Sequence, residues 1–232
     1  MKFEQPLIAG RLIKRYKRFL ADVELLDGQV VTAHCTNSGS MKSCLEPDAE
    51  VLLSKAADPN RKTQFTWEQI KINGHWVGIN TMHPNLIVYE ALKKNAIPGL
   101  TGYDDIAREV TVNDSRLDIV ARNGYETAYI EVKNVTYKDD EYARFPDAVT
   151  SRGLKHLHNL IRIKQAGHRA VMVYVVQRGD VSIFSPAFDI DPQYAEALKE
   201  AYRSGVEIFP VRCRISPGEI EVEKIIPFEL DR

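Results

Sequence analysis

The sequence predicts a protein of mixed α and β structure, in which an all-β first part is followed by an α/β part with a mixed sheet. Two observations predict this fold class. Short runs rich in β-branched residues, separated by turn dipeptides, occupy about the first eighty residues and leave no clear helix. After His83-Pro84, helical and extended patterns alternate instead. We therefore expect one domain at residues 1–82 and another at residues 83–232.

Two dipeptides in the first part, Asp27-Gly28 and Asn73-Gly74, predict β-hairpins, because these residue types accept a positive φ. Apolar and polar residues alternate ahead of the first dipeptide, as they do along a half-buried strand. The strands expected here are 19–26, 29–34, 50–54, 65–72 and 75–80. A chain of four or five such short strands predicts a small β-barrel or sandwich.

Three helices are expected in the second part. Asn85 is a candidate N-cap for a helix that continues to about residue 93. Thr150 or Ser151 caps the next helix, which ends near Gly167. The third helix begins at Asp191-Pro192, since proline is well tolerated in the first helical turn.

The strands of the second part alternate with these helices. They are expected at 109–112, 116–122, 127–135, 169–177, 207–215 and 219–226. The run 169–177 is almost continuously apolar, which indicates a strand covered on both faces. The polar and aromatic stretch 137–147 is expected to be a loop. Together these elements predict a mixed sheet with packed helices.

Composition limits the classes of function. The chain has 232 residues, of which 44% are hydrophobic and 27% charged, which argues against a disordered protein. The 31 Lys and Arg residues nearly balance the 32 Asp and Glu residues, which excludes a histone-like polycation but not a local basic patch. Residues 1–82 carry 11 basic and 9 acidic residues, whereas residues 83–232 carry 20 and 23.

The expected location is the cytoplasm. No apolar run of signal-peptide or membrane-span length is present. The three cysteines Cys35, Cys44 and Cys213 form no close pair, which predicts reduced thiols instead of a disulfide framework.

Two acids and a lysine form the most informative group. Glu131 and Lys133 lie two residues apart on one strand and therefore face the same side. The turn at Asn123-Gly124 brings Asp118 of the preceding strand alongside. Two carboxylates with a backbone carbonyl suit Mg²⁺, and the lysine can hold a water or neutralise charge on a phosphate. The alternative is a solvated Glu–Lys pair on an exposed strand, which stabilises little.

The order of these elements resembles the PD-(D/E)XK nuclease-like fold. The resemblance implies that Asp118 and Glu131 are the two acids of the motif and bind the metal, and that Lys133 is its catalytic lysine. It also implies that Glu90, on the preceding helix, adds a further acid, and that the cofactor is Mg²⁺ or Mn²⁺. The sequence departs from the motif at Leu117, where the motif has proline.

Basic residues concentrate in two places that suit a DNA backbone. In the first part they are interleaved with aromatic residues, and in the second they recur on one face of the predicted helix that also carries His156. The alternative in both places is an ordinary solvated surface. The candidate DNA-binding residues are Arg15, Lys17, Arg18, Lys42, Arg152 and Lys155.

Segments spread over nearly the whole chain resemble the sugar fermentation stimulation protein A (SfsA) family. The segments are 15–23, 34–39, 129–133, 145–150, 152–153, 155–157 and 184–187. The resemblance implies an N-terminal OB-like β-barrel followed by a PD-(D/E)XK nuclease-like domain. It further implies non-specific DNA binding and a regulatory role, through transcription, in sugar and notably maltose metabolism.

Two functions therefore stay open. The first is a DNA-binding protein that grips the duplex backbone without reading bases. The second is a Mg²⁺-dependent nuclease that hydrolyses phosphodiester bonds of DNA or RNA. A protein-interaction module that does not retain DNA is the third alternative.

Overall fold

The first part of the chain folds as a closed β-barrel in the computed structural model, which describes residues 1–112 and 115–231. Its strands are β1 (Ile8–Tyr16), β2 (Leu20–Leu25), β3 (Val30–His34), β4 (Glu50–Lys55), β5 (Phe65–Ile72) and β6 (His75–Gly78). They are hydrogen-bonded in the order β3-β2-β1-β4-β5-β6. A parallel pairing of β3 with β5 closes β1 to β5 into a barrel. The OB-like barrel implied by the family resemblance is confirmed.

Both predicted hairpins are present in the barrel. Gly28 has a φ of 84° between β2 and β3, and Asn73 and Gly74 have φ values of 51° and 79° between β5 and β6. These backbone angles explain why the turns use Gly and Asn, which adopt positive φ at least cost. The alternate apolar residues of the strands, among them Val23 and Trp67, fill the barrel interior.

The second part is built around a six-stranded sheet in the order β15-β14-β12-β9-β8-β7. Strands β9, β12 and β14 are parallel, and the outer pairings are antiparallel. Its elements are α1 (Pro84–Lys93), β7 (Asp105–Val112), β8 (Ser115–Arg122), β9 (Thr127–Val135), β10 (Tyr137–Asp139), β11 (Tyr142–Phe145), α2 (Ser151–Gln165), β12 (Arg169–Val176), β13 (Ile183–Pro186), α3 (Pro192–Arg203), β14 (Glu207–Ile215) and β15 (Ile220–Ile225).

Helices cover both faces of this sheet. Helix α1 packs on one face, and α2 and α3 pack on the other. Strand β12 is buried at every position after Arg169, as its apolar sequence predicts for a strand between two helical layers. Among the described residues, no helix combines the length and the apolar character that a membrane crossing needs.

The structure corrects two local predictions. The stretch 137–147 is not a loop, because β10 and β11 pair with each other and β11 pairs in parallel with β13. The N-cap of α1 is His83, so Asn85 lies inside the first turn and its side chain does not cap the helix. The predicted start of α2 is confirmed, since the Thr150 side chain accepts a hydrogen bond from the amide of Gly153.

Buried polar contacts join the barrel to the second part. The Gly78 amide at the end of β6 donates to the Gln177 carbonyl over 3.0 Å. Arg178 has 0% of its side chain exposed, and it donates to the Thr136 carbonyl and to the Ser43 hydroxyl of the barrel. Its Nε and a terminal nitrogen bind the carboxylate of Asp180. These contacts fix the barrel beside the carboxyl ends of β9 and β12.

Candidate active site

The β8–β9 hairpin places the two predicted acids on one face of the sheet. Ile119 and Ile130 are paired across the hairpin and belong to the core under α1. Because side chains alternate along a strand, the neighbouring Asp118 and Glu131 point away from that core. Asp118 Oδ2 accepts a hydrogen bond of 2.8 Å from the amide of Val132, which holds it beside β9.

Glu131 is almost fully enclosed, with 2% of its side chain exposed. Its Oε1 accepts a hydrogen bond of 2.7 Å from Lys133 Nζ and is also bonded to His156 Nδ1. Burial alone would raise the pKa of Glu131, but the hydrogen bond with His156 and the charge of Lys133 outweigh it, so this pKa is lowered. Glu131 is therefore held as a carboxylate.

The Lys133 side chain lies between α2 and Glu131 of its own strand, β9. Its Nζ lies 2.7 Å from Glu131 Oε1 and 2.9 Å from His156 Nδ1, and 13% of its side chain is exposed. This geometry excludes the alternative of a solvated Glu–Lys pair on an exposed strand. His156 in turn receives a hydrogen bond of 3.4 Å from Arg152 Nε. We call Asp118, Glu131 and Lys133 the acid–lysine site.

The surroundings of Asp118 shift its pKa in the direction opposite to that of Glu131. Burial and the nearby charge of Glu131 raise its pKa, and the Val132 amide, Lys133 and Asn85 offset this only in part. A raised carboxyl pKa means that the negative charge is poorly compensated by the protein. An added cation next to Asp118 would relieve that deficit.

Asn85 and Glu109 complete the surroundings of Asp118, and the sequence did not assign either to the site. Asn85 Nδ2 donates to Asp118 Oδ1 over 2.9 Å and to Glu109 Oε1 over 3.0 Å. Pro84 at the first helical position sets where α1 begins and so aims Asn85 at the sheet edge. No local signal marks Glu109, whose φ of 56° is unusual for a residue with a side chain.

Glu90 lies elsewhere on α1. Its carboxylate forms an ion pair of 3.0 Å with the amino group of Met1. No hydrogen bond or ion pair joins Glu90 to Asp118 or Glu131 in the part of the chain that the structure describes. The additional helical acid therefore stays a prediction, while Asn85 is the α1 side chain that contacts the acids.

The donor set fits a hard divalent cation. Within residues 1–112 and 115–231, no group of three or more His, Cys, Asp or Glu side chains could hold a metal ion. Mg²⁺ does not require such a group, because it is usually bound through one or two carboxylates and keeps several waters. Asp118 and Glu131 supply two carboxylates, and the deficit at Asp118 is the feature that a cation would correct.

The predicted DNA-binding residues differ in availability. Arg15, in β1, donates to the carbonyls of Asn37, Gly39 and Ser40 and to that of Arg18, so its guanidinium is engaged within the barrel. Among the residues that the structure describes, the Arg18 guanidinium forms one hydrogen bond, from its Nε to the Ser38 carbonyl. The remaining candidates are exposed, and they are Lys17, Lys42, Arg152 and Lys155.

Comparisons with known proteins cover both parts of the chain. A family model described as "SfsA N-terminal OB domain" matches residues 13–79, and one described as "Sugar fermentation stimulation protein RE domain" matches residues 82–219. The chain belongs to the sugar fermentation stimulation protein family. The family resemblance read from the sequence is thus confirmed.

Other members of the sugar fermentation stimulation protein family match over nearly their full length. The homolog from Pelobacter propionicus is 49% identical over 223 residues, covering 96% of this chain and 97% of the relative. The homolog from Paramagnetospirillum magneticum is 49% identical over 232 residues, covering 99% of this chain and 98% of the relative. A solved structure described as "The structure of Pyrococcus Furiosus SfsA in complex with Ca2+" is similar with a TM-score of 0.89 and 29% identity, over 99% of this chain and 98% of that one.

Proposed function

We propose that this family member binds DNA through its backbone, without sequence preference, and that the acid–lysine site makes it a divalent-metal-dependent nuclease. The observation that carries the proposal is the pair of adjacent buried carboxylates of unequal pKa, with Lys133 fixed at their edge. A protein that only binds phosphates has no need of such acids, since without a metal they repel the ligand. The Pyrococcus furiosus structure is described as a complex with Ca²⁺, which supports a cation site in this family.

Each side chain of the site has a distinct part in this proposal. Asp118 and Glu131 would hold Mg²⁺ or Mn²⁺, which supplies positive charge for phosphodiester hydrolysis when it is bound. Lys133 orients the attacking water and neutralises charge on the phosphate. His156, whose Nε2 accepts from Arg152, donates its Nδ1 hydrogen to Glu131 and so holds that carboxylate beside Lys133, and Asn85 holds the Asp118 carboxylate.

The exposed cations provide the DNA contacts. Arg152 and Lys155 lie on the first turns of α2, on the helix that brings His156 to the acid–lysine site. Lys17 and Arg18 occupy the turn between β1 and β2 of the barrel. Cations on both domains suit a bound backbone, because phosphate contacts supply affinity without reading sequence.

The test is a plasmid incubation. Purified protein is incubated with supercoiled plasmid in Mg²⁺, in Mn²⁺ or in EDTA, and products are separated on a gel. We expect nicked or linear product only with metal. Lys133→Ala should lower the rate by about 10²- to 10⁴-fold, as expected for a lost catalytic group. The control Lys224→Ala removes an exposed lysine of β15 and should leave the rate unchanged. Equal cutting by wild type and Lys133→Ala would refute the nuclease.

The second candidate is a DNA-binding protein that does not cut. The hydrogen bond of Lys133 Nζ to the buried Glu131 carboxylate favours it, because an ammonium that is held by a carboxylate is less free to act on water. Plasmid retarded on the gel but never cut, in any metal, would select this candidate. No retardation at low salt would favour a protein-interaction module instead. The role in sugar metabolism suggested by the family name stays a prediction.

A further inference from the structure

A cavity of about 260 Å³ lies where the barrel meets the second domain. The barrel contributes residues 37–39 of the loop after β3, together with Arg18. The second domain contributes the segment 144–150 between β11 and α2, and the residues that end β9. No step of the proposed cleavage reaction uses this cavity.

The cavity shares two structural elements with the acid–lysine site. One wall includes Asn134, which directly follows Lys133 in the chain. Another includes Thr150, the N-cap of the helix that carries Arg152 and His156. The cavity therefore lies at the end of β9 and the start of α2, the two elements that carry Lys133 and His156.

The charged groups of the wall suit one phosphate. Arg18 and Arg144 supply two guanidinium groups, and Asp147 supplies one carboxylate. Only 11% of the Arg144 side chain is exposed, and its Nε forms an ion pair of 3.0 Å with Asp139. The Asp147 carboxylate lies against the backbone of Gly39 and accepts a hydrogen bond of 3.1 Å from the Met41 amide, so its charge is directed at the barrel loop.

The uncharged groups suit a nucleobase. Asn37 and Thr136 are each 4% exposed and line the cavity. Among the described residues, no hydrogen bond uses Asn37 Nδ2 or the Thr136 hydroxyl, which leaves both for a ligand. Tyr137 and Phe145 add aromatic surface to the same wall. The phosphate of a ligand could contact the two arginines, and a polar ring could contact Asn37, Thr136 and the aromatic surface.

We propose that this cavity receives one unpaired nucleotide of the DNA strand that lies in the acid–lysine site, so that the substrate is DNA with single-stranded tails or gaps. This inference rests on the proposed function and narrows its substrate class. The size of the cavity supports it, because a space of about 260 Å³ admits a single nucleotide unit and no duplex. Unpaired nucleotides enter such pockets more readily than stacked ones, since no base pair has to be opened.

The test compares two DNA molecules in Ca²⁺ instead of Mg²⁺ or Mn²⁺, because a cation offsets the repulsion between the two acids and the phosphates. A gel of the same samples checks that neither DNA is cut. One is a fluorescent duplex closed by hairpin loops at both ends, and the other is the same duplex with a short unpaired tail. Fluorescence anisotropy gives the ratio of the two affinities. We expect wild type to prefer the tailed DNA by about tenfold, the effect of one well-placed base or phosphate contact.

Two variants remove this preference in different ways. Arg144→Met takes away a phosphate partner, and Ala148→Trp places bulk at an exposed position of the cavity wall. Both should bring the ratio to within about twofold of unity. The matched controls are Arg203→Met, on the exposed face of α3, and Ala166→Trp, after the end of α2, which should keep the wild-type ratio. Thermal unfolding of each variant shows whether it is folded. If Arg144→Met does not fold, Ala148→Trp alone decides the outcome.

The outcomes separate this inference from the proposed function. If wild type binds closed and tailed DNA equally, or if folded Ala148→Trp keeps the preference, the nucleotide cavity is refuted while DNA binding stands. If no DNA is bound at low salt, the proposed function and the inference are both refuted. Added deoxynucleoside monophosphate that competes as well as the tailed DNA would show that the cavity serves a free nucleotide, which also refutes the inference.

Discussion

The basic segment 15–18 at the end of β1 and the pair of acids Asp118 and Glu131 each concentrate charge of one sign, but the structure treats the two groups differently. In the basic segment, the Arg15 guanidinium is satisfied by backbone carbonyls of the barrel loop. Of the two acids, Glu131 is compensated by His156 and Lys133, whereas Asp118 is compensated only in part, and its pKa is raised. Similar charge clusters in a sequence can thus be satisfied within the fold or leave a carboxylate whose charge the protein compensates only in part.

Residues within one cluster also differ from each other in their surroundings. Arg15 and Lys17 are two positions apart, but Arg15 is bonded to the barrel and Lys17 is exposed. Asp118 and Glu131 are neighbours across one hairpin, but their pKa values shift in opposite directions. Stability, DNA-binding and metal-binding measurements probe this difference, in addition to the plasmid and anisotropy tests.

The largest effect on stability is expected at Arg178, which joins the barrel to the second domain. Arg178→Met should lower the free energy of unfolding by about 3–5 kcal/mol, because it removes the buried cation that is bonded to both oxygens of the Asp180 carboxylate and leaves that carboxylate with the longer Lys138 ion pair of 3.5 Å. Urea unfolding measures this loss. The control Arg214→Met removes an exposed ion pair with Glu221 and should cost at most about 1 kcal/mol. Similar losses in both variants would show that Arg178 does not fasten the domains.

A smaller effect should distinguish Arg15 from Lys17. Arg15→Met should lower the free energy of unfolding by about 1–3 kcal/mol, because several carbonyls lose a charged donor. Lys17→Met should change it by less than about 0.5 kcal/mol, as surface substitutions do. Urea unfolding of the two variants side by side measures the difference, and equal losses would contradict the distinct environments of these two cations.

Lys17, which should matter little for stability, is expected to matter for DNA binding. Lys17→Met should reduce by about one the slope of log affinity against log salt concentration, since one phosphate contact is lost. A Lys17→Met protein with an unchanged salt slope, measured by anisotropy on closed duplex, would remove Lys17 from the interface.

The smallest effect is expected from metal binding without DNA. Mg²⁺ or Mn²⁺ at about ten times its Kd should add about 1.4 kcal/mol of stability and raise the Tm by about 3–5 °C. Asp118→Asn should abolish this rise, while the exposed control Asp189→Asn should retain it. An equal rise in all three proteins would place the cation elsewhere.

The metal effect should depend on pH in a defined direction. Metal binds the Asp118 carboxylate in competition with a proton, and the pKa of this carboxyl is raised by burial and by Glu131. The rise in Tm should therefore be complete well above that pKa and decline as the pH falls through it, at a higher pH than for an ordinary aspartate. A rise that is insensitive to acid down to the usual Asp range would contradict the raised pKa.

Local patterns explain which elements could be predicted from the sequence. The two hairpins follow from dipeptides that accept positive φ, and β12 follows from an apolar run between two helical layers. Helix α2 follows from its Thr150 cap. The adjacency of Asp118 and Glu131 follows from strand alternation and one hairpin turn.

The remaining features depend on partners that are distant in sequence. Strand β11 pairs with β13, about forty residues later, so no local period marked residues 137–147 as strands. Residue spacing placed Glu90 on α1, but only the packed structure shows that Glu90 faces Met1 and that Asn85 reaches Asp118.

The sequence by itself determined the fold class, the family and the placement of Asp118, Glu131 and Lys133 on neighbouring strands, because these rest on local periodicity and on motifs in chain order. The tertiary structure decided which charges are satisfied within the protein and which are not. It brought His156 to Lys133, engaged Arg15 in the barrel and formed the cavity between the domains. The physical reason is that pKa values and hydrogen-bond partners depend on burial and on distances of a few ångströms between residues far apart in the chain.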